Sequence, residues 1–348
     1  MYWKYAVTRI ASAFVILFII LIVLSALFNS VLDTEAKSMI EEEIKFEMKN
    51  LIKHHTPEEV IELRAQMREE MFSLYNLDKP IWHRTIHRAI DSFFFNFGKS
   101  TKITSASGTR DVTTIVLERL PNTIFLFTTG TIIVIIMGIL LGLRSAQGAG
   151  GILDKFVSFF AIISQSLPMW WLGLLFILCF AYTVDWFPSG GMISIPPPEG
   201  TWPYLLDMLK HLTLPLICYV LVAFGAWAYL SRNLMVGVLQ EDYIMSARAR
   251  GLPEKSVLCH HTLRSAAPPI ATMAVTSFVF SFGGAIITET VFNWPGLGYL
   301  FWEAVEKSDV PVLMGDMFVT VFLYVIFMAI LDLTYGYLDP RIKVGGRR

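Results

Sequence analysis

The sequence predicts an all-α membrane protein with six transmembrane helices, a helical extracellular insert after the first, and a cytoplasmic polar loop between the fourth and fifth. Three observations carry that expectation. The chain is 54% hydrophobic and only 16% charged. Its apolar residues fall in uninterrupted blocks long enough to cross a bilayer. Its Lys and Arg are concentrated in alternate connecting segments. The net charge of -1 is uninformative by itself, because the two signs occupy different stretches of chain. There is neither a basic domain nor an aromatic-basic motif, which excludes a nucleic-acid-binding reading.

Residues 1–28 are the N-terminus and first span. Lys4 and Arg9 precede Ile10 to Phe28, which runs without a charge. The run is longer than the apolar part of a signal peptide, and no small-x-small cleavage site follows it closely, so a retained helix is expected. Residues 29–119 form the insert, with 15 acidic and 13 basic residues. Asp33 to Lys53 and Pro57 to Leu74 are expected to be two helices. The second has Thr56 as N-cap, Pro57 at its first position and Glu58 and Glu59 in its first turn. Leu77 to Pro80, LDKP, is a turn.

Two stretches of the insert imitate functional motifs. Gly98, Lys99 and Ser100 resemble the end of a phosphate-binding loop, but Phe93 stands where the earlier glycine is needed and no strand precedes it. His83 and His87 lie one helical turn apart, yet the zinc-protease Glu is missing and Arg84 and Arg88 flank the pair; a solvated helix face is expected.

Residues 120–343 are the permeation core, followed by a cytoplasmic tail at 344–348. Leu120 to Leu143 is the second span, with Gly138 and Gly142 in small-xxx-small spacing for close helix contact. Phe156 to Val184 is the third, with Pro168 as the point of breakage. Trp170, Trp171, Trp186 and Trp202 suit interfacial anchors. Asp185 to Lys210 is irregular, and His211 to Ser231 is the fourth span. Ala266 to Thr288, with Gly283 and Gly284, is the fifth, and Met317 to Leu338 the sixth. Glu289 to Gly298 reads as a bent re-entrant or surface turn. Cys179, Cys218 and Cys259 have no ligand or disulfide spacing and are expected to be free.

Six spans place both termini on one side, and charge decides which. The segments sharing the side of the N-terminus carry Lys4, Arg9, Arg144, Lys155, Arg232, Arg248, Arg250, Lys255, Arg264, Arg341, Lys343, Arg347 and Arg348, against five acidic residues. The short loops opposite have only Lys210 and Lys307. The termini and the loop at 232–265 are therefore expected in the cytoplasm and the insert outside. Asp332 is the one clear ionisable group within a span, near enough to the cytoplasmic end to pair with a tail Arg or reach water. The spans lack the polar cluster that an intramembrane enzyme needs, and paired broken helices of a secondary carrier are not apparent.

The most informative stretch is Glu241 to Pro269. Glu241 and Asp242 open, and Arg248 and Arg250 close, a short helix with a complemented dipole. Gly251 supplies its left-handed end, and Pro253 starts a second helix through Val257, Leu258 and His261. Tyr243, Ile244 and Ala247 fall on one side, a small mixed face suited to a protein groove.

This loop, EDYIMSARARG followed by HTLRSAAPP, resembles the cytoplasmic loop of ATP-binding-cassette importer permeases, in the version of the dipeptide/oligopeptide/nickel family and of its first permease subunit. TETVFNWPGLG from Thr288 to Gly298, LDKP and LDPRI from Leu338 to Ile342 resemble the same family. In the wider superfamily the loop reads Glu-Ala-Ala, three residues, Gly, then Ile-x-Leu-Pro. Here Gly251 keeps its place, Met245, Ser246 and Ala247 stand at the first three positions, and His261, Leu263 and Arg264 at the Ile, Leu and Pro positions. Met39 to Met71 is longer than the family's usual insert, and no role is carried onto it.

The resemblance implies a permease subunit of an ATP-driven, binding-protein-dependent importer, working with a second homologous permease, two ATP-binding subunits, an extracellular solute-binding protein and the lipid bilayer of a prokaryotic cell membrane. The coupling residues it implies are Glu241, Asp242, Tyr243, Ser246, Ala247, Arg248, Arg250 and Gly251. Its motif on the extracellular side would comprise Glu289, Asn293, Trp294, Pro295, Gly296 and Gly298, with the loops there and the insert receiving the binding protein. The chain has no complete Walker A motif, so ATP and Mg are expected on the partner ATPases, with no cofactor or metal on this chain. Peptides are the expected solute, with oligosaccharides or nickel as alternatives; a stand-alone channel or secondary carrier is the alternative from another class. A bulky residue at Gly251 is expected to uncouple transport without preventing insertion.

Overall fold

The computed structural model describes residues 2–51, 57–74 and 77–338. Thr56 and most of LDPRI, together with the C-terminal tail at 344–348, lie outside the described residues. Helices make up most of the described residues, and the only β-type pairing among them is an isolated bridge between Lys99 and Asp111. Among the described residues, five helices are long and apolar enough to cross a membrane, or six if a bent pair counts as one span.

The chain divides into two compact units. The first takes in Met1–Leu117 and Glu303–Val325. Its long helix α1 covers Tyr2–Leu51 without interruption. The expected separation of the first span from a helix at Asp33 does not occur, because no Gly or Pro stands between Ile10 and Leu51 to stop propagation. Beyond the span, Ile40, Ile44 and Met48 form an i, i+4, i+8 stripe that packs on Val60, Leu63, Met67 and Met71 of α2, Pro57–Leu74. Glu41 ties the pair through Arg64 at 3.0 Å and Arg68 at 3.1 Å.

Helix α3, Ile81–Phe93, follows the LDKP turn and lies along α1. Arg84 and Arg88 both pair with the buried Asp33, and Arg88 also donates to Asn29. His83 and His87 stack at 6.4 Å, and His87 Nδ1 meets Asp91 at 2.8 Å. The return segment is held by Asp309, whose fully buried carboxylate accepts from Ser100 Oγ at 2.6 Å, Lys102 N–H at 2.8 Å and Ile103 N–H at 3.1 Å. Phe95 and Phe97 then pack edge-on or tilted against Phe318, each at 5.2 Å.

Helix α4, Val112–Gln147, begins a little over two turns before the expected Leu120. The start is set by Asp111, which accepts from the Thr114 N–H at 2.8 Å and from its hydroxyl at 2.7 Å. The second unit comprises Glu118–Trp302 and Ile326–Arg341. The third apolar block breaks at Pro168 as expected: α5, Ile152–Ser166, and α6, Met169–Phe176 with a π-helical continuation to Thr183, meet at 93°. Leu167 between them is extended, the conformation that the proline ring imposes on the residue before it.

Helix α7, Thr201–Leu239, exceeds the expected fourth span at both ends and carries Pro215 inside it. The small-xxx-small expectation holds in full. A Cβ at Gly138 would stand 2.8 Å from Trp227 Cβ, and one at Gly142 2.7 Å from Ser231 Cβ, both on α7. On another face of α7, Phe224 stacks on Phe160 of α5 at 4.7 Å. The four Trp residues read as interfacial are all exposed.

Candidate functional site

The polar loop folds as a helix, a glycine turn and a second helix. Helix α8 is Asp242–Ala249, with Glu241 extended at its N-cap and Gly251 at φ +77° just past its end. Helix α9, Glu254–Ser256, begins after Pro253 and passes through a π-helical turn, Val257–Thr262, into α10, Leu263–Phe280. Arg248 bridges the turn to Glu254 with contacts of 2.7 and 3.3 Å. Both partners are about two-fifths exposed, so the bridge fixes direction more than it adds stability.

The mixed face expected on α8 is divided. Ile244 and Ala247 are fully buried with Val257 against Val238 and Leu239. Glu241, Asp242, Tyr243, Met245, Ser246, Arg248 and Arg250 are exposed. Ala247 therefore anchors the loop within this chain and cannot itself touch a partner. Tyr243 is 45% exposed and stands apart from the two side chains with which the sequence grouped it. Nothing lies within 4 Å of a Cβ built on Gly251, so the constraint there is its left-handed backbone and not side-chain size.

The second cluster surrounds Glu289. The expected fifth span ends early, because Gly284 takes φ +64° and Ala285 is extended; a separate helix α11, Ile286–Val291, follows. Glu289 on α11 is fully buried. One carboxylate oxygen accepts from Thr123 Oγ at 3.0 Å and the other from the Tyr299 N–H at 3.0 Å. Thr123 Oγ in turn accepts from the Leu297 N–H at 2.7 Å, at the start of α12, Leu297–Glu306. Asn122 and Trp294 exchange the remaining bonds: Asn122 Nδ2 donates to Pro295 O at 2.8 Å, and Trp294 Nε1 donates to Asn122 O at 2.9 Å.

Glycine is required twice in this knot. A Cβ at Gly296 would strike both the Glu289 carboxylate and Thr123 Oγ, and one at Gly298 would stand 2.8 Å from the Ile286 backbone. Glu289, Trp294, Gly296 and Gly298 are thus interior and Pro295 half-buried, with Asn293 exposed at φ +49°. Of the two readings of this stretch, a bent re-entrant or a surface turn, the surface turn is corrected: its glycines admit a buried carboxylate, and the segment closes inward. The signal was present as a Glu and three small or turn residues within ten positions, but its partner Thr123 is 166 residues away. The sixth helix, α13, Val310–Leu338, also starts before the expected Met317.

Burial pushes the Glu289 carboxyl up to about 7 from its ordinary 4.5, against the opposing hydrogen bonds from Tyr299 and Thr123. The raised value fixes the sign of the pH dependence. Below about pH 4.5 both folded and unfolded chains hold this proton; as pH rises to about 7 the unfolded chain ionises first, and stability falls by about 3 kcal/mol. Glu289→Gln is expected to flatten this part of the melting profile between pH 5 and pH 8. A slope identical to the parent's would mean that the carboxylate is hydrated in the folded protein.

Membrane-length apolar helices joined by a structured polar loop define a multi-pass membrane protein of the all-α class. Among the described residues no group of three or more His, Cys, Asp or Glu is arranged to hold a metal ion. The chain belongs to the family described as binding-protein-dependent transport system inner membrane component, which matches residues 138–344. It is 32% identical over 279 residues to the oligopeptide transport system permease protein AppB of Bacillus subtilis, covering 79% of this chain and 85% of the relative. A probable peptide ABC transporter permease protein, y4tP of Sinorhizobium fredii, is 33% identical over 80% of this chain and 84% of its own. A putative peptide permease protein of Brucella suis is 36% identical over 67% of this chain and 72% of its own. The resemblance first seen in the polar loop is therefore one of family, and the chain is a component of the peptide ABC transporter permease family.

Proposed function

We propose that this chain is the membrane-spanning permease of an ATP-driven importer for peptides, and that it couples closure of partner ATPases to alternating access. It forms half of the translocation path with a second homologous permease. It receives solute from an extracellular binding protein and catalyses no reaction itself; ATP and Mg bind the partner ATPases. The termini and the loop at 232–265 lie in the cytoplasm, in line with the Lys and Arg on those segments. Peptide as solute is supported by the names of the relatives above.

The observation that carries the coupling reading is the division of α8. Ile244 and Ala247 fasten it to α7 and to the π-helical turn, while Tyr243, Met245, Ser246 and Arg250 face outward. A short helix fixed from behind and open in front transmits a push from a groove that holds it. Asp242 begins the helix and the Arg248 bridge closes it, so the two ends of the element are both defined.

The test is Tyr243→Asp in the complex reconstituted with its ATPases, binding protein and a peptide. A desolvated charge at the centre of a docking face is expected to weaken docking by about 2 kcal/mol, or roughly 30-fold. Peptide-stimulated ATP hydrolysis and uptake should fall together, with the melting temperature of the isolated permease pair unchanged. Gly251→Ala should act in the same direction but less, because its cost is only about 1 kcal/mol of backbone strain. Full uptake in the Tyr243 variant would remove α8 as the coupling element.

A further inference from the structure

We infer that α3 of the insert is immersed in the lipid leaflet on the insert's side of the membrane, so that residues 81–97 form a re-entrant arm and not part of a soluble domain. The inference rests on the chain's being a multi-pass membrane protein and does not depend on the coupling role of α8.

Depth is set by α1. The uncharged run Ile10 to Phe28 has 19 residues, about 28 Å of helix at roughly 1.5 Å per residue, which matches the hydrocarbon core of a bilayer. Asn29 and Asp33, at and just beyond its end, receive Arg88 and Arg84. Five residues further along α3 from Arg88, Phe93 packs on Phe14 at 6.1 Å and on Phe18 at 6.2 Å. Phe18 stands near the middle of the uncharged run. The arginines thus mark the polar edge, and the end of α3 lies deep in the layer that α1 crosses.

The outer face of α3 has the composition that depth requires. Trp82, Ile86, Ile90 and Phe94 recur every fourth residue and are 65%, 40%, 43% and 75% exposed. The stripe is continuous with the exposed face of α1, since Ile90, Phe93 and Phe94 share an apolar groove of about 350 Å³ with Phe14, Val15, Phe18 and Ile19. Val15 and Ile19 are themselves more than half exposed on a membrane-spanning helix. Lipid chains covering α1 would therefore cover this groove. Trp82, at the shallow end beside the arginines, sits where indole prefers the interface.

Several of the remaining backbone and polar groups have protein or open cleft around them, as non-helical chain at membrane depth must. Arg88, Asp91, Asn96 and Lys99 line a cleft of about 620 Å³ on the other side of α3. Thr113 Oγ donates to the Phe95 carbonyl at 2.7 Å, the Phe95 ring meets Phe318 and Phe322, and Asp309 receives the returning chain. Sequence alone reads the segment as soluble because three charged residues, Arg84, Arg88 and Asp91, and two histidines interrupt its apolar stripe, with no run long enough to span.

Nitroxide labels decide the matter. Ile86→Cys, Ile90→Cys and Phe94→Cys would be labelled separately, in a background with Cys179, Cys218 and Cys259 replaced by Ser. Each would be reconstituted as the full complex in phosphatidylethanolamine and phosphatidylglycerol bilayers, with exposed Glu62→Cys as the water reference. The three positions point outward, so their labels displace no core contact, and three separate sites guard against one failing to assemble. Relaxation by oxygen, which concentrates in hydrocarbon, is expected to exceed that by a water-soluble nickel chelate at all three and to rise from 86 to 94. At Glu62 the chelate should dominate. Dominance of the chelate at 90 and 94 would place α3 in water, and protection from both reagents would place it under a protein partner; either result overturns the inference.

Discussion

Arg232→Ala is expected to cost about 3–5 kcal/mol, the usual penalty for leaving one member of a buried ion pair behind. The Asp154 side chain is only 8% exposed. Its two oxygens accept from Arg232 Nε at 2.7 Å and Nη2 at 2.8 Å, from Ser145 Oγ at 2.8 Å and from the Gly150 N–H at 2.8 Å. These bonds join the end of α4, the Gly-rich turn, the first turn of α5 and the later part of α7. Losing Arg232 strands a carboxylate where little water reaches it. A domain's whole stability is of order 5–15 kcal/mol, so the variant should accumulate poorly in the membrane and melt well below the parent. Arg232→Lys restores the charge but not the paired geometry and should recover only part of the loss. An unchanged melting temperature for Arg232→Ala would show that Asp154 is satisfied without it.

Gly298→Val is expected to be as damaging by a different route. Its Cβ would lie 2.8 Å from the Cα and N of Ile286, and backbone atoms at the start of α11 cannot rotate away as a flexible side chain can. Overpacking of this kind costs about 1–3 kcal/mol or more. Here the displaced helix also carries Glu289 and its bonds to Thr123 and Tyr299. Uptake should fall by at least about tenfold, with a lowered melting temperature, because a shift of α11 opens the whole knot. Gly237→Ala is the matched control: nothing lies within 4 Å of its Cβ, and it should be neutral or stabilising by up to about 1 kcal/mol. If Gly298→Val matches the parent in both assays, the close approach of α11 and α12 is wrong.

Both variants act on contacts that the sequence concealed. Asp154 and Arg232 are 78 residues apart, Thr123 and Glu289 166, and neither pair follows a helical or strand period. Each residue has an unremarkable local setting: an acid in a first turn, an Arg near a helix end, a Thr two residues after a proline. Helix ends were legible where a single residue controls the backbone, as at Pro168 and Gly251; at Gly284 the break was missed, because the sequence run stays apolar through it. They were misplaced where hydropathy was used in place of such a residue. α1 continues past Phe28 because helix propagation does not respond to polarity, and α4 begins at Val112 because Asp111 caps it.

Local chemistry and the distribution of charge by themselves determined that the chain is all-helical and membrane-embedded, that Gly138 and Gly142 face another helix, and that a polar helix-turn-helix interrupts the later spans. These follow from transfer free energy, steric size and backbone dihedrals, which are properties of neighbouring residues. Only the tertiary structure decided which face of α8 is free, that Glu289 is interior, and that α3 runs beside the first span. Burial is a relation between segments far apart in the chain, and the cost of removing a carboxylate from water depends on what has closed around it.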